Sequence, residues 1–175
     1  MSFPGFVVVA ADVDRLWVDS RMADGDFGRP MGPPFLNALE ERLRLEAGVL
    51  DAIALADPLE GDPPIELRRI DDSQHPRVMR ARRYRTDVQV WATPDGVLIL
   101  GRGLCGRWEA AVEVFETARN HGHGRALAVA ARHLVPEDRP LWVRIAPGNA
   151  SSLRAFLAAG YQPVGSEVLF IPPCA

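Results

Sequence analysis

A chain of 175 residues that is 47% apolar and 25% charged, with a formal charge of −3, can bury a sizeable core without metal or disulfide support. Its longest apolar runs, at residues 6–11 and 97–100, are far short of the ~20 residues that cross a bilayer, so no membrane-spanning helix is expected. The mildly acidic balance argues against a nucleic-acid partner. All twenty basic residues are arginine, so neither a Schiff-base lysine nor a Walker lysine is available. The start, MSFPGFVVVAADVD, lacks a basic region and reaches Asp12 too soon for a secretory leader, and a cytoplasmic location is the expectation. Cys105 and Cys174 are too few for a disulfide framework and read as free thiols.

In chain order, residues 6–9 read as a short strand. Prolines 30, 33 and 34 lead into an amphipathic helix on Phe35, Leu36, Leu39, Leu43 and Leu45, ended by Gly48. Residues 49–56 and 65–70 read as strands around a turn-rich segment. Seven arginines between Arg68 and Arg85, with Asp71 and Asp72 among them, read as a solvated face or a set of ion pairs ahead of an anionic acceptor site. Residues 88–93 and 97–100 are β-rich and joined by Pro94-Asp95-Gly96, a hairpin signal. The next stretch, RWEAAVEVFETA, fits helix by the spacing of Trp108, Ala111, Val112 and Phe115, and fits strand by alternation from Val112 to Glu116. A compact helix follows from Gly124, with Arg132 and His133 in its last turn, where the helix dipole favours positive charge. Then come a strand at 141–146, a helix at 149–159 closed by Gly160, and an extended run at 161–171. The pattern predicts a mixed α/β domain.

Two glycine-rich signals compete for a phosphate. Gly101-Arg102-Gly103-Leu104-Cys105-Gly106 satisfies the dinucleotide-binding spacing, but a hairpin precedes it and a helix stands where the second parallel strand is needed. Arg119-Asn120-His121-Gly122-His123-Gly124-Arg125 instead opens a helix. The first N–H groups of a helix lack internal partners and can hold an anion, glycines allow close approach, and Arg119 adds a charged fork. His121 and His123 lack further ligands at metal-binding spacing, so no metal is expected. His75 and His133 read as solvent-facing or structural, and Trp17, Trp91, Trp108 and Trp142 as core or cleft wall.

The second loop, followed by a strand and then Asn149-Ala150-Ser151-Ser152 running to Gly160-Tyr161, resembles the GNAT (GCN5-related) N-acetyltransferase superfamily. Arg119, Gly122 and Gly124 match its Q/R-x-x-G-x-G/A loop, and Asn149, Ser152 and Gly160-Tyr161 match its later helix, so the resemblance covers residues 88–170. It implies a mostly antiparallel twisted α/β (α+β) sheet flanked by helices, with splayed central strands. It also implies a single domain over 1–175, divided into an acceptor-side half at 1–86 and an acetyl-CoA-binding half at 87–171. Under it, RWEAAVEVFETA becomes a strand that splays from residues 141–146. Pantetheine would lie along Val114, Phe115 and Glu116, and the pyrophosphate on Gly122, His123, Gly124 and Arg125 with Arg119. Asn149, Ser152 and Phe156 would line the far side.

The implied activity is transfer of acetyl from acetyl-CoA to a primary amine, a small molecule or peptide, by direct attack in a ternary complex. The family's usual tyrosine position falls on Phe156, and its usual acidic positions fall on Val112 and Arg144, so the familiar acid and base are absent. Glu109, on the same strand face as Glu113, is the candidate base, with an ion pair to Arg102, Arg107 or another arginine as the other reading. An acyl-CoA-binding protein without transferase activity is the alternative function. The apolar run at 168–171 suggests strand pairing across a homodimer.

Overall fold

The computed structural model describes residues 1–22, 26, 28–70 and 74–173; Asp71, Asp72 and Cys174 lie outside the described residues. In chain order the strands and helices are β1 (Ser2–Phe3), β2 (Phe6–Val7), α1 (Arg15–Asp19), α2 (Pro33–Leu43), β3 (Glu46–Ala47), β4 (Asp51–Ala56), β5 (Arg68–Arg69), α3 (Pro76–Tyr84), β6 (Thr86–Thr93), β7 (Gly96–Arg102), β8 (Trp108–Val114), α4 (His123–Leu134), β9 (Leu141–Ile145), α5 (Ala150–Ala158), β10 (Gln162–Glu167) and β11 (Phe170–Ile171). Among the described residues no helix is long and apolar enough to cross a membrane. The chain divides into two compact units, residues 1–53 with 164–175, and residues 54–163. Residues 54–86 thus fall in one unit with residues 87–163.

In the first unit β1 and β2 form a hairpin, Ser2 of β1 pairs with Ser166 of β10, and β11 pairs with β3. Helix α2 starts on Pro33 and buries Phe35 and Leu39. It ends five residues before Gly48, at Leu43, because Arg44 adopts a left-handed conformation and turns the chain into β3. Gly48 serves another purpose. Its N–H donates to the Leu169 carbonyl at 2.9 Å, and a Cβ there would stand 2.9 Å from that oxygen. The run at 168–171 contributes β11, in which Phe170 and Ile171 face Ala47 and Glu46 of β3.

In the second unit the strands lie in the order β4-β9-β8-β7-β6-β5. Every pair from β5 to β8 is antiparallel, whereas β8 and β9 are parallel and joined through α4. The continuous apolar run of β7 is explained by burial on both faces. Leu98 and Leu100 join the core beneath α4 and α5, while Val97 and Ile99 pack with Val78 and Ala81 of α3. The ambiguous stretch is strand β8, with Trp108 and Ala110 in the α4-side core, Val112 and Val114 packed against it, and Ala111 packed on the α3 side. Cross-strand pairing with β7, from Gly96↔Val114 to Arg102↔Trp108, overrides its helical spacing.

That pairing removes the dinucleotide reading. Gly101–Gly106 connects two antiparallel strands through a short 3₁₀ turn, so no crossover helix presents its N-terminus there. Helix α3 forms from the arginine-rich stretch, in which the sequence pattern shows no helix. It is capped by His75, whose ring nitrogen accepts the Arg77 N–H at 3.3 Å, and most of its arginines are exposed.

Candidate functional site

The feature that organises the second unit is where β8 and β9 separate. Their ladder holds two rungs, Glu109↔Trp142 and Ala110↔Val143; β8 then runs on to Val114 and β9 to Ile145 without a further rung. Backbone groups of a strand seek partners, so such a gap suits an extended ligand with amide groups of its own.

Helix α4 opens beside this gap. Gly122 caps it in a left-handed conformation that glycine adopts without strain, φ +85°. The Ala126 N–H bonds back to the Gly122 carbonyl at 3.1 Å, so the N–H groups of residues 123–125 have no partner within the helix. Gly124 lies where three elements meet. A Cβ there would lie 3.5 Å from the Ala155 Cβ of α5 and 3.7 Å from the Val114 Cγ2 of β8. Three segments singled out separately by the sequence therefore converge on one glycine.

The remaining expected ligands sort by environment. Arg119 and Arg125 are exposed and flank the loop, and Glu116 begins a 3₁₀ turn whose carbonyl accepts the Arg119 N–H at 3.4 Å. The Asn149 carboxamide oxygen caps α5, accepting the Ser152 N–H at 3.1 Å and the Ser151 hydroxyl at 3.1 Å. Phe115 turns its ring to the α3 side of the sheet, 6.3 Å from the His75 ring. Phe156 is placed differently from expectation: it is buried in the core, edge-to-face on Tyr161 with centroids 5.0 Å apart. The Tyr161 hydroxyl donates to the Ala128 carbonyl at 3.2 Å, and burial holds this phenol well above its ordinary range.

Glu109 is buried, on the α3 face of the sheet, with both oxygens engaged. Oε1 lies 2.8 Å from Arg107 Nε and Oε2 lies 2.9 Å from an Arg85 guanidinium nitrogen. The ion-pair reading of this residue is thus the one observed, with Arg107 and with a further arginine, Arg85. Arg102 pairs instead with Asp87 at 3.1 Å and stacks on Trp108. Glu113, on the same face, sits 2.6 Å from Arg77 Nε and 3.6 Å from His75, and the hydrogen bond from Arg77 holds its carboxyl below the usual range.

One contributor went unread in the sequence. In the sequence Asp95 reads only as a turn residue, yet its carbonyl accepts the Phe115 N–H at 2.8 Å and its carboxylate lies 3.4 Å from His123 Nδ1. It touches both the end of β8 and the start of α4. The β6–β7 turn lengths alone could not have shown this, because it depends on how the hairpin tip folds against the helix.

No protein-family model matches the sequence, and no curated protein matches it either. Among solved structures, a GCN5-related N-acetyltransferase from Kribbella flavida aligns with a TM-score of 0.50 at 17% identity, covering 81% of this chain and 65% of that one. This chain has the GNAT fold. It spans about two-thirds of the length of that structure. Within the GNAT fold, the parting of β8 from β9 is the splay implied by the sequence resemblance, and it begins after Ala110.

Proposed function

We propose that the chain transfers acetyl from acetyl-CoA to a primary amine. The observation that supports this best is the meeting of Val114, Gly124 and Ala155 beside the gap between β8 and β9. In this reading the pyrophosphate rests on the N–H groups of residues 122–125, with Arg119 and Arg125 supplying charge. Pantetheine runs along Val114, Phe115 and Glu116, with Asn149 and Ser152 opposite.

The amine nitrogen attacks the thioester carbonyl carbon, the tetrahedral intermediate collapses, and the C–S bond breaks. The sulfur leaves as the free thiol, taking the equivalent of the proton that the amine gives up through water. Glu109 enters as the anchor of Arg85 and Arg107, since both of its oxygens already face guanidinium groups. Phe156 supports α5 from within the core.

Acyl-CoA binding without transfer is the second reading. The burial of Phe156 and the engagement of the Tyr161 hydroxyl with Ala128 favour it, because neither ring offers a phenol to the leaving sulfur. Thermal denaturation with acetyl-CoA, CoA, NADH and NADPH tests the shared part. A ligand at 100 times its Kd adds about 2.7 kcal/mol, a shift of several degrees. Expected are shifts with acetyl-CoA and CoA alone; a shift with neither overturns both readings. Steady thiol release with an amine panel then separates transfer from binding.

A further inference from the structure

On the α3 face, at the rungs after which β8 and β9 part, guanidinium groups gather around one carboxylate. Glu109 and Trp142 form the first rung, Ala110 and Val143 the second, and Arg144 follows directly on β9. Val143 and Ile145 are buried in the α4-side core, so Arg144 projects to the other face, the one carrying Glu109. Arg85 arrives there from the end of α3, and Arg107 stacks on Trp142 while sharing Glu109.

Arg85 is the unusual member. Its side chain is 14% exposed, and its Nη1 is buried without a hydrogen-bond partner among the described residues. Glu109 engages only one of its terminal nitrogens. A buried guanidinium N–H that lacks an acceptor is costly, by more than a neutral donor in the same position. Burial pushes this guanidinium down from its ordinary range, and Arg144 and Arg107 push in the same direction against the pull of Glu109. An incoming anion relieves all of these at once, and a planar carboxylate fits the guanidinium fork in two parallel hydrogen bonds.

We propose that Arg85 binds a carboxylate of the acceptor, so that the substrate of the acetyl transfer is an amine that also carries a carboxylate. This rests on the acetyl-transfer reading above. The Arg144 charge acts on Arg85 from β9, and Glu109 holds Arg85 in place. An amino-carboxylate set here presents its amine toward the parted strands while its acid group stays on the α3 face.

The test uses the whole chain with saturating acetyl-CoA, and matched acceptors: glycine, β-alanine, 4-aminobutyrate and lysine, each against its amide, plus an aminoalkyl phosphate. Thiol release gives KM and kcat; thermal shift in the presence of CoA gives acceptor binding where turnover is too slow. At least one carboxylate is expected to show a KM, or apparent Kd, tenfold or more below its amide and below the phosphate. Arg85→Gln is expected to erase that preference, raising the KM or apparent Kd of the carboxylate to that of its amide. If Arg85→Gln does not fold, the wild-type acid-to-amide ratio and its reduction in Arg144→Gln decide. Equal or better use of amides, a preference for the phosphate, no acid-dependent shift or turnover, or equal losses for acid and amide in Arg85→Gln each overturn the proposal. A CoA shift accompanied by any of these leaves acetyl-CoA binding standing; the absence of a CoA shift overturns the acetyl-transfer reading as well.

Discussion

The carboxylate of Glu109 occupies the space that a side chain at residue 103 would need: a Cβ on Gly103 would stand 2.8 Å from Glu109 Oε2. The stem of Arg85 uses its neighbour in the same way, since a Cβ on Gly101 would lie 3.1 Å from Arg85 Cβ and 3.2 Å from Arg85 Cδ. Two glycines of an apparent nucleotide fingerprint are therefore explained by the ion pair they admit. Gly103→Ala is expected to lower unfolding free energy by about 1–3 kcal/mol in urea titration, through overpacking against a buried charge. Glu109→Ala is expected to cost about 3–5 kcal/mol, because it strands Arg85. The double variant should cost less than the sum; strict additivity would break the link between these positions.

Gly124 carries a different constraint. Its imagined Cβ meets Ala155 and Val114 only at ordinary contact distances, so Gly124→Ala should fold and keep most of its affinity for CoA. Gly124→Glu places a negative side chain between α4, β8 and α5 at the first turn of the helix. It is expected to abolish the CoA-dependent thermal shift while retaining the native circular dichroism spectrum. A full shift in that variant would move the pyrophosphate away from this loop.

The Arg77–Glu113 pair predicts acid behaviour. The Glu113 carboxyl is held below its ordinary value of 4.5 chiefly by the Arg77 hydrogen bond. A depressed carboxylate stabilises the fold fully above the unfolded value, and that stabilisation is lost as pH falls through the lower folded value. Stability measured from pH 6 down to pH 3 should fall less steeply in Arg77→Gln than in the wild type. The pair is partly exposed, so the difference should also shrink in high salt.

Tyr161 predicts the opposite limb. Burial raises its phenol above the ordinary 10.0, so the folded state keeps a proton that the unfolded state gives up. Stability should decline as pH rises past about 10, by at most ~1.4 kcal/mol per unit. Tyr161→Phe removes this alkaline decline, at the cost of the hydrogen bond to Ala128. An unchanged pH profile in that variant would show that the phenol is not shielded.

The second unit was the more legible. The Pro94-Asp95-Gly96 turn, the α4 and α5 boundaries and the two glycine loops all rest on local chemistry: turn residues, caps and apolar periodicity. Helix α3 is not legible in the sequence because only Val78 and Ala81 of its nine residues are buried, which leaves little apolar periodicity among the arginines. In the first unit, α2 was placed but its end was not, since Arg44 takes a conformation usually reserved for glycine.

By itself the sequence determined the mixed α/β class and the position of the helix that opens on Gly122 and Gly124, because capping and periodicity act within a few residues. The tertiary structure alone decided that Trp108–Val114 is a strand, since that depends on its antiparallel ladder with β7. It alone joined Glu109 to Arg85, 24 positions apart, and Gly124 to Ala155, 31 apart. Side-chain charge and glycine spacing are local properties, whereas the partner that a buried charge requires is set by which segments the sheet brings together.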